Sequence, residues 1–143
     1  MNIAIGNDHA GTKYKIEIVK ILEAKGYNIV NFGTDNENSV DYPDTVHPTA
    51  NAVNSGKVKW GIVLCGSGNG AQITANKYQR VRAALCWNNE LVVLARKHNN
   101  ANILAIPSRF VSLQQALSFV DIFLTTSFEA GRHKRRVDKI ACK

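Results

Sequence analysis

The segment Cys65-Gly66-Ser67-Gly68-Asn69-Gly70-Ala71 sets a thiol directly ahead of three glycines. A turn of that composition between a strand and a helix exposes successive backbone N–H groups, which together cradle negative charge. A thiol at such a place suits thiolate chemistry, because a helix N-terminus lowers a cysteine pKa from about 8.5. A buried, inert thiol is the competing reading, since cysteine is among the most buried residue types. The Gly66-x-Gly68-x-x-Ala71 spacing also fits a dinucleotide fingerprint. That fingerprint belongs in the first strand-helix unit and expects an acid at the end of the next strand, where this chain has Cys86-Trp87-Asn88. A phosphatase loop built on the same cysteine would need an arginine where Ala71 stands.

A second cluster, Gly6-Asn7-Asp8-His9-Ala10-Gly11-Thr12-Lys13, is a near phosphate-loop pattern with its last two residues transposed. Asp8 and His9 fall where a strand ends, so they either project into a crevice or serve as a helix cap and a turn residue. His98 sits where a helix ends, a position whose dipole favours the protonated ring. Arg132 and Arg136 are four apart on one helical face, a pair suited to gripping phosphate. No metal is predicted. His9, His47, His98 and His133 show no paired helical spacing, and Cys65, Cys86 and Cys142 form no C-x-x-C pair. The same three cysteines predict no disulfide framework.

These residues need a scaffold, and 143 residues suffice for one domain. The shares of 45% hydrophobic and 20% charged residues are those of a packed globular chain, which excludes a disordered or collagen-like one. No apolar run approaches the roughly 18–20 residues of a membrane span, and the N-terminus has no leader pattern, so a cytoplasmic protein is predicted. The net charge is +7, but the last twelve residues hold six Lys/Arg against one Asp. The excess is therefore local, an anion site rather than a nucleic-acid stripe, and no aromatic residues interleave with it as single-strand platforms require.

Short apolar runs at about 2–6, 27–31, 60–64, 81–85 and 103–106 alternate with amphipathic stretches at about 12–25, 43–56, 70–77, 89–97 and 112–124. That alternation predicts an α/β fold, a three-layer Rossmann-like domain with a five-stranded parallel sheet and helices on both faces. In the first helix Ile16, Val19, Ile21 and Leu22 are expected to face the core, with Gly26 as its stop. Ser112 is expected to cap the fifth helix. An extra basic helix over about 132–142 has no strand after it and is expected to pack on a neighbouring subunit. In an open sheet of this kind ligands bind beyond the carboxyl ends of the strands.

Taken together, Gly6-x-Asp8-His9-Ala10-Gly11, Asp41-Tyr42-Pro43, Cys65 to Gly70, Ala75-Asn76-Lys77, His98-Asn99, Ser108-Arg109 and Gly131-Arg132-His133 with Arg136 resemble type B ribose-5-phosphate isomerases. That wider family includes galactose-6-phosphate isomerase subunits. The resemblance spans the whole chain. It implies cofactor-free, metal-free interconversion of ribose 5-phosphate and ribulose 5-phosphate in a homodimer or dimer of dimers, with the active site at the subunit interface. It assigns Cys65 as the base, Ser67 as a proton relay between the two oxygens, and His98 with Asp8 as openers of the furanose ring. Gly66, Gly68, Asn69 and Gly70, with Asn99, would hold the enediolate oxygen. His9, Arg109, Arg132 and Arg136 would bind phosphate, with His133 a weaker candidate, and Tyr42 would line the sugar pocket. No acid follows Gly70 in Ala71-Gln72-Ile73-Thr74, which favours the cysteine over a carboxylate base. A six-carbon substrate such as allose 6-phosphate or galactose 6-phosphate is the neighbouring reading. A non-catalytic nucleotide-binding module is the reading from another class.

Overall fold

The computed structural model describes residues 1–143. Its apolar runs become β1 (Asn2–Asn7), β2 (Asn28–Asn31), β3 (Trp60–Cys65), β4 (Ala83–Leu85) and β5 (Ile103–Pro107). All neighbours pair in parallel, in the order β2-β1-β3-β5-β4. The connecting helices are α1 (Thr12–Ala24), α2 (Tyr42–Asn54), α3 (Asn69–Ala75), α4 (Asn89–Asn99) and α5 (Leu113–Thr125), and α6 (Gly131–Val137) follows them. One turn of 3-10 helix, His9–Gly11, precedes α1. No helix is long and apolar enough to cross a membrane.

Side chains alternate between the two faces of a strand, and here the alternation sorts them by size. Ile3, Ile5, Ile62, Leu64, Leu104 and Ile106 pack under α1, α4 and α5, against Ile18, Leu22, Val92, Phe119 and Phe123. Ala4, Val63, Cys65 and Ala105 face the other way, toward Val46 and Ala50 of α2 and Ala71 and Ala75 of α3. Small residues let α2 and α3 approach closely, so the face that carries Cys65 is thin.

Local signals set the helix ends. Tyr27 N–H donates to Leu22 O (3.0 Å) and Gly26 N–H to Glu23 O (2.9 Å), and Gly26 is left-handed at φ +88. This is the glycine stop expected for α1. Ser112 caps α5 in a reciprocal box with Gln115.

Three details differ from the sequence expectation. In α1, Lys15, Ile18 and Leu22 are buried, whereas Ile16 and Ile21 are exposed. The helix is turned so that Lys15 reaches the Asp35 carboxylate in the loop before α2, a partner no local pattern announces. β4 starts at Ala83 because the N–H groups of Val81 and Arg82 bond Tyr78 O (3.0 Å) and Asn102 Oδ1 (2.7 Å) instead of a strand. The last helix stops at Val137 and gives way to a turn, since the basic segment has no apolar stripe to carry it further and Ile140 is exposed.

Candidate active site

The expected residues form two groups. The first gathers where β1, β3 and β5 end. Asp8 N–H donates to Leu64 O (3.2 Å), Ser108 N–H to Cys65 O (3.0 Å) and Arg109 N–H to Gly66 O (3.0 Å). These bonds bring Asp8, Cys65 and Arg109 to one rim. The Asp8 carboxylate accepts from Ala10 N–H (2.9 Å), so it performs the capping role while sitting at the rim. Cys65 is 4% exposed, facing the α2/α3 layer, with the glycine turn opening directly above it.

Gly68 caps α3 in a left-handed conformation, φ +77, the backbone shape by which a turn can present successive N–H groups to an anion. Gly70 is required for a different reason: a β-carbon there would collide with the Tyr42 ring, which lies across the turn. The Arg109 guanidinium covers the other end, where its Nη1 would lie 3.2 Å from a β-carbon on Gly66. Ser67 is exposed, and its Oγ accepts from Asn69 N–H (3.3 Å). Tyr42 and Arg109 thus flank the two ends of the turn.

The loop over 33–41 packs on the end of β1 and the start of α1. His9 Nδ1 accepts from Val40 N–H (3.2 Å), which sets the orientation of the ring. Thr12 Oγ1 donates to Asn36 O (2.7 Å), and Lys15 Nζ also reaches Asn31 Oδ1 (3.4 Å). The Lys15 ammonium, and next the Asn31 amide, hold the Asp35 carboxyl below its ordinary value. Asn7 Oδ1 and Ser108 Oγ are buried without a partner, and both lie where β1 and β5 end.

The second group lies elsewhere. His98 and Asn99 end α4, beside α6 with Arg132, His133 and Arg136. The His98 and His133 rings stack at 4.1 Å, and His98 Nε2 is 3.8 Å from Glu129 Oε2. Burial, then the neighbouring His98 and Arg132 charges, push the His133 imidazole below its ordinary value. His98, Glu129 and His133 offer ligand atoms within 4.8 Å of one another, a tertiary cluster that sequence spacing misses. The rings are nearly parallel, at 13°, so their nitrogen lone pairs run side by side rather than converging on one ion. His98 and Asn99 also line a cleft of about 890 Å³ along the free edge of β4. Cys86 lines it too, but burial pushes that thiol up to about 12, so it stays protonated and unreactive at neutral pH.

Within one chain the two groups are far apart. α4 runs antiparallel to the strands, and just past its end Asn100 O accepts from Arg82 Nε (2.9 Å) at the amino end of β4. Cys65 is at the carboxyl end of β3 and on the opposite face. A helix of eleven residues is about 16 Å long at 1.5 Å per residue, which is the scale of the separation.

Residues 3–140 match the family model described as ribose/galactose isomerase. The chain belongs to the ribose/galactose isomerase family. It is similar to ribose-5-phosphate isomerase B of Escherichia coli (strain K12), 41% identical over 96% of this chain and 93% of that protein. Among solved structures, ribose-5-phosphate isomerase B of Clostridium thermocellum superposes with a TM-score of 0.95 at 48% identity, covering 98% of this chain and 95% of that one. The Mycoplasma genitalium ribose-5-phosphate isomerase B, solved with bound ribulose-5-phosphate, gives 0.93 at 42% identity over 97% and 93% of the two chains. Sequence reasoning missed two supports of this isomerase-family site, Glu129 beside His98 and the Lys15–Asp35 clasp. Both pairings are non-local, and neither leaves a periodic signal.

Proposed function

We propose that this isomerase-family chain interconverts ribose 5-phosphate and ribulose 5-phosphate in a homodimer whose sites each join the Cys65 group of one subunit to the His98 group of its partner. The observation that carries the reading is the turn Cys65–Gly70, with its left-handed Gly68, under Arg109 and Tyr42. A sugar phosphate needs a base, an oxyanion cradle and a phosphate clamp, and a single subunit keeps the first two, with Arg109 and His9, at one end of its sheet and Arg132 and Arg136 at the other. A two-fold axis that sets the two chains antiparallel brings them together twice. In this arrangement α6 and the residues after it pack on the partner.

The His98 imidazole and the Asp8 carboxylate open the furanose ring to the free aldehyde. The Cys65 thiolate takes the proton from C2, the C1–C2 double bond forms, and the carbonyl electrons move to O1. Backbone N–H groups of Gly66 to Gly70, with Asn99, hold that oxyanion where the charge develops, each donor being worth about 3–4 kcal/mol by a protease precedent. Ser67 relays a proton from O2 to O1, and Cys65 returns its proton to C1, leaving the ketone at C2. Arg109, Arg132, Arg136 and His9 bind the phosphate, whose binding energy orients the reacting carbons. The three cysteines are free, and a mechanism that runs on a thiolate suits a reducing compartment such as the cytoplasm.

The test is turnover of ribose 5-phosphate by Cys65→Ala. A positioned base contributes about 100-fold to 10,000-fold, so turnover falls by that factor while ribose 5-phosphate still binds within a few-fold of wild type. Near-normal turnover would remove the assignment of Cys65.

A further inference from the structure

At the amino end of the sheet, between the end of α2 and the segment after α4, lies a second concavity lined by none of the residues assigned to the isomerisation. It measures about 490 Å³ and is lined by Lys59, Arg80, Arg82, Asn100 and Asn102 beside Trp60. Three cations and two neutral amides face it, and no carboxylate does. The five ion pairs of the chain involve lysines and His98 but no arginine.

Charges taken out of water are normally paired. Arg82 is half-buried, and its Nε is satisfied by the neutral carbonyl of Asn100. Behind it Arg96, only 4% exposed, lies 4.4 Å from the centre of the Trp60 ring, and its Nη1 donates to Ala101 O (2.6 Å). Burial lowers the pKa of both guanidinium groups, and the Arg82 charge lowers that of Arg96 further. Lys59 adds a third cation 4.8 Å from the same ring. The fold therefore gives Arg82 and Arg96 neutral acceptors and no counter-charge, while Lys59 and Arg80 stay exposed.

We propose that this cleft binds a compact phosphoryl polyanion, a pyrophosphate group either free or carried by a nucleoside diphosphate. Guanidinium forks match phosphoryl oxygens in pairs, and the Asn100 amide adds one neutral donor, while Asn102 Nδ2 is held by Arg80 O (2.8 Å). The cleft is separated from the Cys65 group of its own chain by the length of β3, six residues, or about 20 Å at 3.3 Å each, and it adjoins the His98 group through Asn100, the residue after Asn99. Arg82 also lines the cleft beside His98, so the discriminating substitutions are Lys59 and Arg80, which line only this one.

The experiment is calorimetric titration of the full chain with inorganic pyrophosphate, and in a parallel arm with ADP, at low salt and with ribose 5-phosphate saturating. One anion binds per chain, and Lys59→Gln with Arg80→Gln weakens it by about tenfold or more, given the Coulomb attraction of two cations for a polyanion. Isomerase kcat/KM stays unchanged in that variant. Tighter binding of ADP assigns the nucleotide as the source, and equal or tighter binding of pyrophosphate assigns the free anion. The charge-keeping pair Lys59→Arg with Arg80→Lys retains binding, which separates charge from any fault in folding. The inference is overturned if neither anion binds at millimolar concentration, if the Gln pair leaves the affinity unchanged, or if the charge-keeping pair loses it. A chain that failed to isomerise ribose 5-phosphate would still report on this cleft, because the readout is the difference between variants.

Discussion

Gly68→Ala should uncouple catalysis from stability. At φ +77 an L-residue pays about 1–2 kcal/mol for the left-handed backbone. The new β-carbon would also collide with Leu85 Cδ1 and lie 3.3 Å from Pro107 N and 3.4 Å from Ile106 C. The two backbone atoms belong to β5 and cannot yield, so the turn itself must shift. Misplacing one oxyanion donor costs about 3–4 kcal/mol, which is roughly 100-fold to 1,000-fold in kcat. Gly56→Ala supplies the control: its φ is +78, yet no atom lies within 4 Å of the added carbon. It pays the backbone cost alone, a Tm lower by about 2–8 °C for a chain of this size, with kcat unchanged. Thermal unfolding and initial rates at saturating ribose 5-phosphate measure both. The reasoning is refuted if Gly68→Ala keeps kcat within about threefold of wild type, or if Gly56→Ala loses activity to the same degree.

Ser112→Ala removes the side-chain half of the α5 cap, the 3.1 Å bond that Ser112 Oγ accepts from Gln115 N–H. It lowers stability by about 1 kcal/mol in denaturant unfolding and leaves kcat untouched. Lys15→Met frees the Asp35 loop and raises KM more than it lowers kcat, since the loop carries the Val40 contact to His9 and leads into Tyr42; a kcat effect with KM unchanged would contradict this. The same variant gives the sign of the acid response. Because the Asp35 carboxyl is held below its ordinary value in the fold, its contribution is complete above about pH 4. It is lost as pH falls through the lowered value, so the stability gap between wild type and Lys15→Met narrows in acid.

The strands and most helices were legible because buried parallel strands are short apolar runs and because Gly26, Pro43 and Ser112 punctuate the helices locally. The phase of α1 was not, because the burial of Lys15 depends on Asp35, twenty residues away in sequence. The length of the last helix was overestimated for a related reason: charge spacing at Arg132 and Arg136 marks a helical face but supplies no packing to extend it. Glycine and cysteine chemistry pointed to the Cys65 turn without help from the fold. The opposite placement of His98 became visible only with the direction of α4 and the packing of α6 beside it, and neither residue carries that information.

The central claim is that each site is shared between two chains, and mixing two disabled variants tests it most directly. Cys65→Ala and His98→Asn, each almost inactive alone, are unfolded, mixed in equal amounts and refolded together. Half of the dimers are then mixed, and each mixed dimer holds one intact site, so turnover returns to about a quarter of wild type. If Cys65 and His98 served the same site from one chain, every site in the mixture would carry a lesion, and turnover would stay at the level of the separate variants.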